Sequence, residues 1–183
     1  MKKGKVVILI GTKRAGKTTT AVRLNKEYGW NYLEFDHLLD SLDLVIDDTN
    51  KKEKEFNFFE SMINFQLEDA NNYGINTIIV VWDFKPEQLS KLKRFNEVKI
   101  YCLVPINITK EILDETLVKY SDDYDWPKTA SEEDLIRNKN NILLERDMFL
   151  KECPKYNITI FDTSYYDDRN TKINELINKI QKN

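Results

Sequence analysis

Residues Val6 to Thr18 read VVILIGTKRAGKT, and the two halves of that stretch decide the fold. Val6-Val7-Ile8-Leu9-Ile10 is an unbroken aliphatic, largely β-branched run, the pattern of a strand buried on both faces of a parallel sheet. Gly11-Thr12-Lys13-Arg14-Ala15-Gly16-Lys17-Thr18 meets the spacing GxxxxGK[ST] at every fixed position. Directly after it, Ala21, Leu24 and Tyr28 fall at helical spacing until Gly29 stops the pattern. In such a strand-loop-helix unit Gly11 and Gly16 permit backbone conformations that side chains obstruct, so successive N–H groups turn inward and the helix N-terminus adds partial positive charge. A polyphosphate fits there. Lys17 is placed to reach its terminal phosphates and the Thr18 hydroxyl to ligate Mg²⁺, while Lys13 and Arg14 raise the local potential and Thr19 closes the stretch Gly11 to Thr19 expected to hold the donor. A plain strand-to-helix turn would need two glycines but neither Lys17 nor Thr18.

Outward from the loop, strand patterns recur at Asn31 to Phe35, Ile78 to Trp82, Val98 to Val104 and Ile158 to Phe161. Helical patterns separate them. Phe56, Phe59, Ile63, Leu67 and Ala70 mark one face of a long helix that Gly74 caps, and Pro86 starts another carrying Leu89, Leu92 and Phe95. Thr109 caps a third, Ser131 with Asp134 gives a capping-box signature for a helix running to about Glu152, and Ile173 to Ile180 defines a terminal helix. His37 to Val45 reads as a short helix and Asp47 to Asn50 as a loop. Strands alternating with helices predict an α/β fold, three layers deep, with a five-stranded parallel sheet and the ligand beyond the strands' carboxyl ends.

The 183 residues suit one domain. Lys plus Arg total 28 against 31 Asp plus Glu, a formal charge of −3, which lacks the general attraction of a basic nucleic-acid binder and makes a small-molecule ligand the first expectation. Cys102 and Cys153 are too few for a disulfide framework, and no run approaches a membrane span, so a reducing, cytoplasmic setting is expected, as monomer or homodimer.

Guanine switches need a DxxG turn and an NKxD base reader. Asp83-Phe84-Lys85-Pro86 lacks the glycine, and Asn138-Lys139-Asn140-Asn141 lacks the final acid. With strand, loop and helix as they stand, the sequence resembles the nucleoside-monophosphate-kinase-like group of phosphate-loop kinases, which includes adenylate, shikimate, gluconate and polynucleotide 5'-kinases. The resemblance covers nearly the whole chain as a pattern of elements and implies ATP and Mg²⁺. It implies Asp36, at the end of the second strand, as acceptor contact or base, and Asp83, after the third, as a Mg²⁺ organiser beside Thr18. It further implies residues 37–74 as an acceptor-binding helical insertion, residues 121–152 as a helical lid bearing catalytic Arg137 and Arg146 alongside Lys17, and Asp162-Thr163-Ser164 as the border of the adenine site.

Between Asp36 and Ile75 there is no arginine, and only Lys51, Lys52 and Lys54 carry positive charge. A phosphorylated acceptor normally meets a guanidinium clamp, so the composition leaves room for a hydroxyl acceptor such as a nucleoside or sugar, with a nucleotide the more ordinary family choice. The alternatives are a polynucleotide or DNA-base hydroxyl kinase, which the acidic balance disfavours, and an ATP-binding regulatory module. His37 reads as a hydrogen-bonding residue before a base, and Phe58 and Phe59 as core before a nucleobase stack.

Overall fold

In the computed structural model, which describes residues 3–42, 49–119, 121, 126–164 and 168–182, the aliphatic run forms strand β1 (Val6–Gly11), buried along its whole length. Among the described residues it is joined by β2 (Asn31–Glu34), β3 (Thr77–Val80), β4 (Lys99–Val104) and β5 (Thr159–Asp162) in one parallel sheet of order β2-β3-β1-β4-β5. Ile8 stands opposite Ile79 on one side and Ile100 on the other. Because β1 has β3 and β4 as its two neighbours, the loop that follows it opens where the chain changes direction across the sheet, which is where ligands bind in open α/β folds.

The described helices are α1 (Lys17–Tyr28), α2 (Phe35–Leu42), α3 (Lys51–Tyr73), α4 (Pro86–Leu89), α5 (Lys110–Lys119), α6 (Trp126–Thr129), α7 (Glu132–Glu152) and α8 (Arg169–Lys182). Period-two alternation divides the strand side chains between them. Val7, Leu9, Ile78, Val80 and Leu103 meet Ala21 and Leu24 of α1 and Leu176 and Ile177 of α8. Val6, Ile8, Ile10, Ile79 and Val104 meet Leu39 of α2, Phe59 and Ile63 of α3, and Phe149 of α7. The result is three layers, helix on sheet on helix, as the alternation predicts. None of the described helices is long and apolar enough to cross a membrane.

The second core holds an aromatic knot. Phe35 meets Phe59 edge-on at 4.7 Å between ring centres, and Phe59 meets Phe84 at 4.7 Å. Phe59 is wholly buried and cannot stack on a base, and Phe58 lies 5.6 Å from Phe35, also within this cluster. The knot fixes the turn from β2 into α2 and the turn after β3, the two segments that carry Asp36 and Asp83.

Helix ends follow their local chemistry. Gly74 takes a left-handed conformation and its N–H reaches Ala70 O. Ser131 Oγ accepts from Asp134 N at 3.1 Å, the cap the sequence predicts.

Two expectations change. Asp36 does not end a strand: β2 closes at Glu34, and burial of Phe35 in the aromatic knot starts α2 one residue before Asp36. The helix after Pro86 lasts one turn: the Lys91 and Leu92 N–H groups bond carbonyls three residues back, Gln88 O and Leu89 O, and the next N–H, that of Lys93, goes to Glu60 Oε1 of α3 at 2.9 Å. The expected short helix at His37 to Val45 is described as far as Leu42; its remainder and the start of the expected loop, residues 43–48, lie outside the described residues, as do residues 122–125 of the expected lid.

Candidate active site

The loop leaves β1 under a tight steric constraint. Gly11 has φ +129°, and a Cβ built there would stand 2.0 Å from the carbonyl oxygen of Leu103 on β4. Thr12 N–H donates to that same oxygen at 3.2 Å, so the loop is pinned to the neighbouring strand. Arg14 (φ +65°) and Gly16 (φ +89°) are both left-handed, and such reversals give the concave run of N–H groups that favours anions. Arg169, the first residue of α8, braces the loop from outside by donating to Arg14 O at 3.1 Å.

Lys17 folds back over the mouth of this loop, its ammonium donating to Gly11 O at 3.0 Å and Thr12 O at 2.9 Å. Burial pushes its pKa down, while Asp36, Glu145 and Glu34 pull it up by their charge. Those carboxylates form the facing wall. Asp36 Oδ1 accepts from the backbone N–H of Trp82 at 2.8 Å. Burial nonetheless drives the Asp36 pKa upward, with the Asp83 charge adding to the effect and the Trp82 bond and Lys17 opposing it. Glu34 Oε1 accepts from Thr18 Oγ1 at 3.4 Å.

Glu145, from the middle of α7, completes the wall. Its Oε1 accepts from the Trp82 indole at 3.2 Å. Burial pushes its pKa up against that bond, the charges of Lys17 and Lys13 and the nearby Lys13 backbone amide. Lys13 Nζ lies 4.8 Å above the Trp82 ring and donates to Asn138 Oδ1 of α7 at 3.1 Å. The Gly11 to Thr18 loop, the turn after β3 and helix α7 therefore converge on Trp82 and Lys13. Beside them Trp82, Asp83, Lys85, Glu145, Met148 and Phe149 line a cavity of about 150 Å³.

Of the residues singled out in the sequence, Lys13, Lys17, Thr18 and Asp36 come together, with Asp83 close enough to act on Asp36. Ala15 and Gly16 are buried at the turn into α1, and Thr19 is exposed on its first turn. Arg137 and Arg146 are not turned to the loop: Arg137 pairs with Asp134 at 2.5 Å, and Arg146 holds Asp147 and the Ile108 carbonyl. Asp162 Oδ1 accepts from Ile106 N at 3.1 Å and Ser164 N at 2.9 Å, which ties the turn after β5 to the turn after β4. His37 is exposed on α2.

The oxygen set fits a hard dication. No group of three or more His, Cys, Asp or Glu among the described residues is placed to hold a metal alone. Mg²⁺ keeps several waters and takes one or two protein oxygens plus those of a substrate phosphate. The Thr18 hydroxyl is exposed beside Glu34, and Asp36 and Asp83 are like charges whose mutual repulsion a dication relieves.

Glu34, Trp82, Asn138, Glu145 and Arg169 escape a reading of the sequence. One signal for Glu145 was present: Asn138, Ile142, Glu145 and Phe149 share a helical face, and Ile142 and Phe149 are buried, so an acid interrupts an otherwise inward stripe. Trp82 reads as the last apolar residue of a strand, whereas β3 stops at Val80 and leaves the indole partly exposed at the site.

No family model matches the sequence, and no curated protein matches it. Solved structures do. A shikimate kinase from Acinetobacter baumannii, in complex with shikimate, aligns over 99% of this chain and 96% of its own at 15% identity and a TM-score of 0.54. A shikimate kinase from Bacteroides thetaiotaomicron aligns over 97% of each chain at 17% identity and 0.57. A sugar kinase from a Janibacter species aligns over 97% of this chain and 95% of its own at 16% identity and 0.56. The chain has the fold of the small phosphate-loop kinases.

Proposed function

We propose that the protein is a small kinase that moves the γ-phosphoryl group of ATP to a hydroxyl of a small acceptor. One observation carries this reading: the Lys17 ammonium closes a loop built for phosphates while the Asp36 carboxylate, raised in pKa by burial, faces it from the first turn of α2. Gly11 to Thr19 would bind the donor through main-chain N–H groups, with Lys17 on the terminal phosphates. Thr18 and Asp83 would hold Mg²⁺, which when bound neutralises charge on the phosphate oxygens.

Asp36 is anchored through Oδ1 by the Trp82 N–H, and its second oxygen, Oδ2, would take the acceptor proton. A base whose pKa is lifted toward neutrality accepts that proton more readily than an ordinary carboxylate. Closure of α7 over the loop would exclude water and limit hydrolysis of the donor. Arg137 and Arg146 would serve the transferred group only on leaving Asp134 and the Ile108 carbonyl, a movement that such closure would have to supply.

The test is ATP consumption with a panel of nucleosides, nucleoside monophosphates, sugars and oligonucleotides. Stimulation by one class is expected. Lys17→Met should abolish it and weaken MgATP binding with the circular-dichroism spectrum unchanged; retained turnover in that variant refutes the proposal, and a flat, acceptor-independent rate points instead to an ATP-binding regulatory module.

A further inference from the structure

Phosphoryl transfer to a hydroxyl needs one base, and Asp36 supplies it. Glu145 is a further carboxylate with a different setting. Its Oε2 is fully buried and has no hydrogen-bond partner among the described residues, while the group lines the cavity of about 150 Å³ beside the loop. A buried carboxylate oxygen without a protein donor is costly, and such sites are completed by water, a ligand or a moving partner.

The charges that face Glu145 narrow the choice of partner. Lys13 and Lys17 act on it from the phosphate loop, and both are spoken for once a triphosphate fills that loop. Lys85 lines the same cavity but shares its wall with Asp83. Arg146, the next residue on α7, turns to Asp147 and Ile108. With donor bound, the loop gains negative charge and Glu145 loses its counter-charge. A phosphorylated or carboxylated acceptor would add a further anion at this point; a cationic one would cancel it.

Resting on the kinase reading above, we infer that Glu145 sets acceptor specificity: the acceptor is a small hydroxyl compound bearing a protonated amine, whose ammonium pairs with Glu145 while its hydroxyl faces Asp36. Met148, Phe149 and Trp82 supply apolar wall for a short carbon frame. In the reaction the hydroxyl oxygen forms a bond to the γ-phosphorus and its proton passes to Asp36. The bond from that phosphorus to the bridging oxygen breaks with its electron pair on ADP, and the product is an amine-bearing phosphomonoester. The ammonium has no lone pair and is not phosphorylated.

The experiment uses two matched series, serinol with glycerol and glycerol 3-phosphate, and glucosamine with glucose and glucose 6-phosphate. Calorimetric binding is measured on the protein saturated with magnesium and the β,γ-imido analogue of ATP, and ADP release is measured with MgATP. In at least one series the amine is expected to bind tenfold or more tighter than its neutral partner and to be the one that drives ADP release. Glu145→Gln, which keeps an oxygen for the Trp82 indole, is expected to erase that preference. The inference is overturned if in both series a neutral or phosphorylated member binds as well as the amine. It is equally overturned if no member binds to protein that holds the nucleotide, or if the preference survives Glu145→Gln. Failure of the kinase reading itself is distinct: the wild-type protein then does not bind MgATP, or Lys17→Met binds it unchanged.

Discussion

Gly11 offers a quantitative test of how the loop is built. In Gly11→Ala the new Cβ would stand 2.0 Å from Leu103 O, where real Cβ contacts essentially never fall below 3.0 Å. The obstacle is backbone of a central strand and cannot rotate aside, so β1 and β4 must separate by about 1 Å at this point. Holding alanine at φ +129° costs about 1–3 kcal/mol, and weakening the Thr12 N–H bond and its ladder neighbours adds about 1 kcal/mol each. The sum is about 3–5 kcal/mol, or about 6–20 °C in Tm at the ~2–4 °C per kcal/mol typical of a chain this size. Gly16→Ala is the control: φ is also positive, but its Cβ would meet nothing closer than 3.5 Å, and there only the Arg169 side chain. Strain alone predicts about 1–2 kcal/mol for Gly16→Ala, or about 2–8 °C. Thermal melts followed by circular dichroism compare the two. If Gly11→Ala melts within about 2 °C of wild type, or if Gly16→Ala falls just as far, the strand-contact reasoning is refuted.

Asp36→Asn should separate stability from chemistry. Burial raises the Asp36 pKa above its ordinary 3.8, so its stabilising contribution is complete below that value and is lost as pH rises through the folded-state pKa. Removing the charge while keeping the Oδ1 acceptor should therefore raise Tm near neutral pH, with the gain shrinking to nothing in acid, while turnover falls by about 10²–10⁴; a pH series of melts with no gain at neutrality would contradict this. Phe59→Ala empties the centre of the aromatic knot and is expected to cost about 3–5 kcal/mol. Because that knot seats α2, acceptor-dependent turnover should fall with it; chemical denaturation with an unchanged midpoint would count against the reasoning.

The central strand, the loop and the first helix were legible because all three signals are local: an aliphatic run, fixed glycines, and an apolar period ended by Gly29. The long helix through Phe59 and Ile63 was legible for the same reason. The length of the helix after Pro86 was not, since its end tightens onto Gln88 O and Leu89 O and the chain is then held by Glu60 of α3, contacts that no local pattern announces. Asp36 was placed one element early, because the start of α2 depends on where Phe35 is buried. Half of the candidate site was reached early: Lys13, Lys17 and Thr18 follow from the spacing of the loop, and Asp36, the second residue of α2, from the family resemblance. The other half depends on contacts distant in sequence: Trp82 reaches Asp36 and Glu145, and Asn138 reaches Lys13. Arg137 and Arg146, to which the family resemblance gives a lid role, are held here by Asp134 and by the Ile108 carbonyl, contacts that the sequence does not announce.

The strand order also dictates how this polypeptide can assemble as it leaves the ribosome. β1 and β2 emerge first but do not pair with each other; both wait for β3, which inserts between them, and β1 gains its second neighbour only when Lys99–Val104 has been made. Until then the segment VVILIG is an uncovered, aggregation-prone strand on the nascent chain. A fragment ending before Thr77 would therefore contain the entire nucleotide loop yet lack the scaffold that shapes it, so splitting the gene there should yield an insoluble, inactive half.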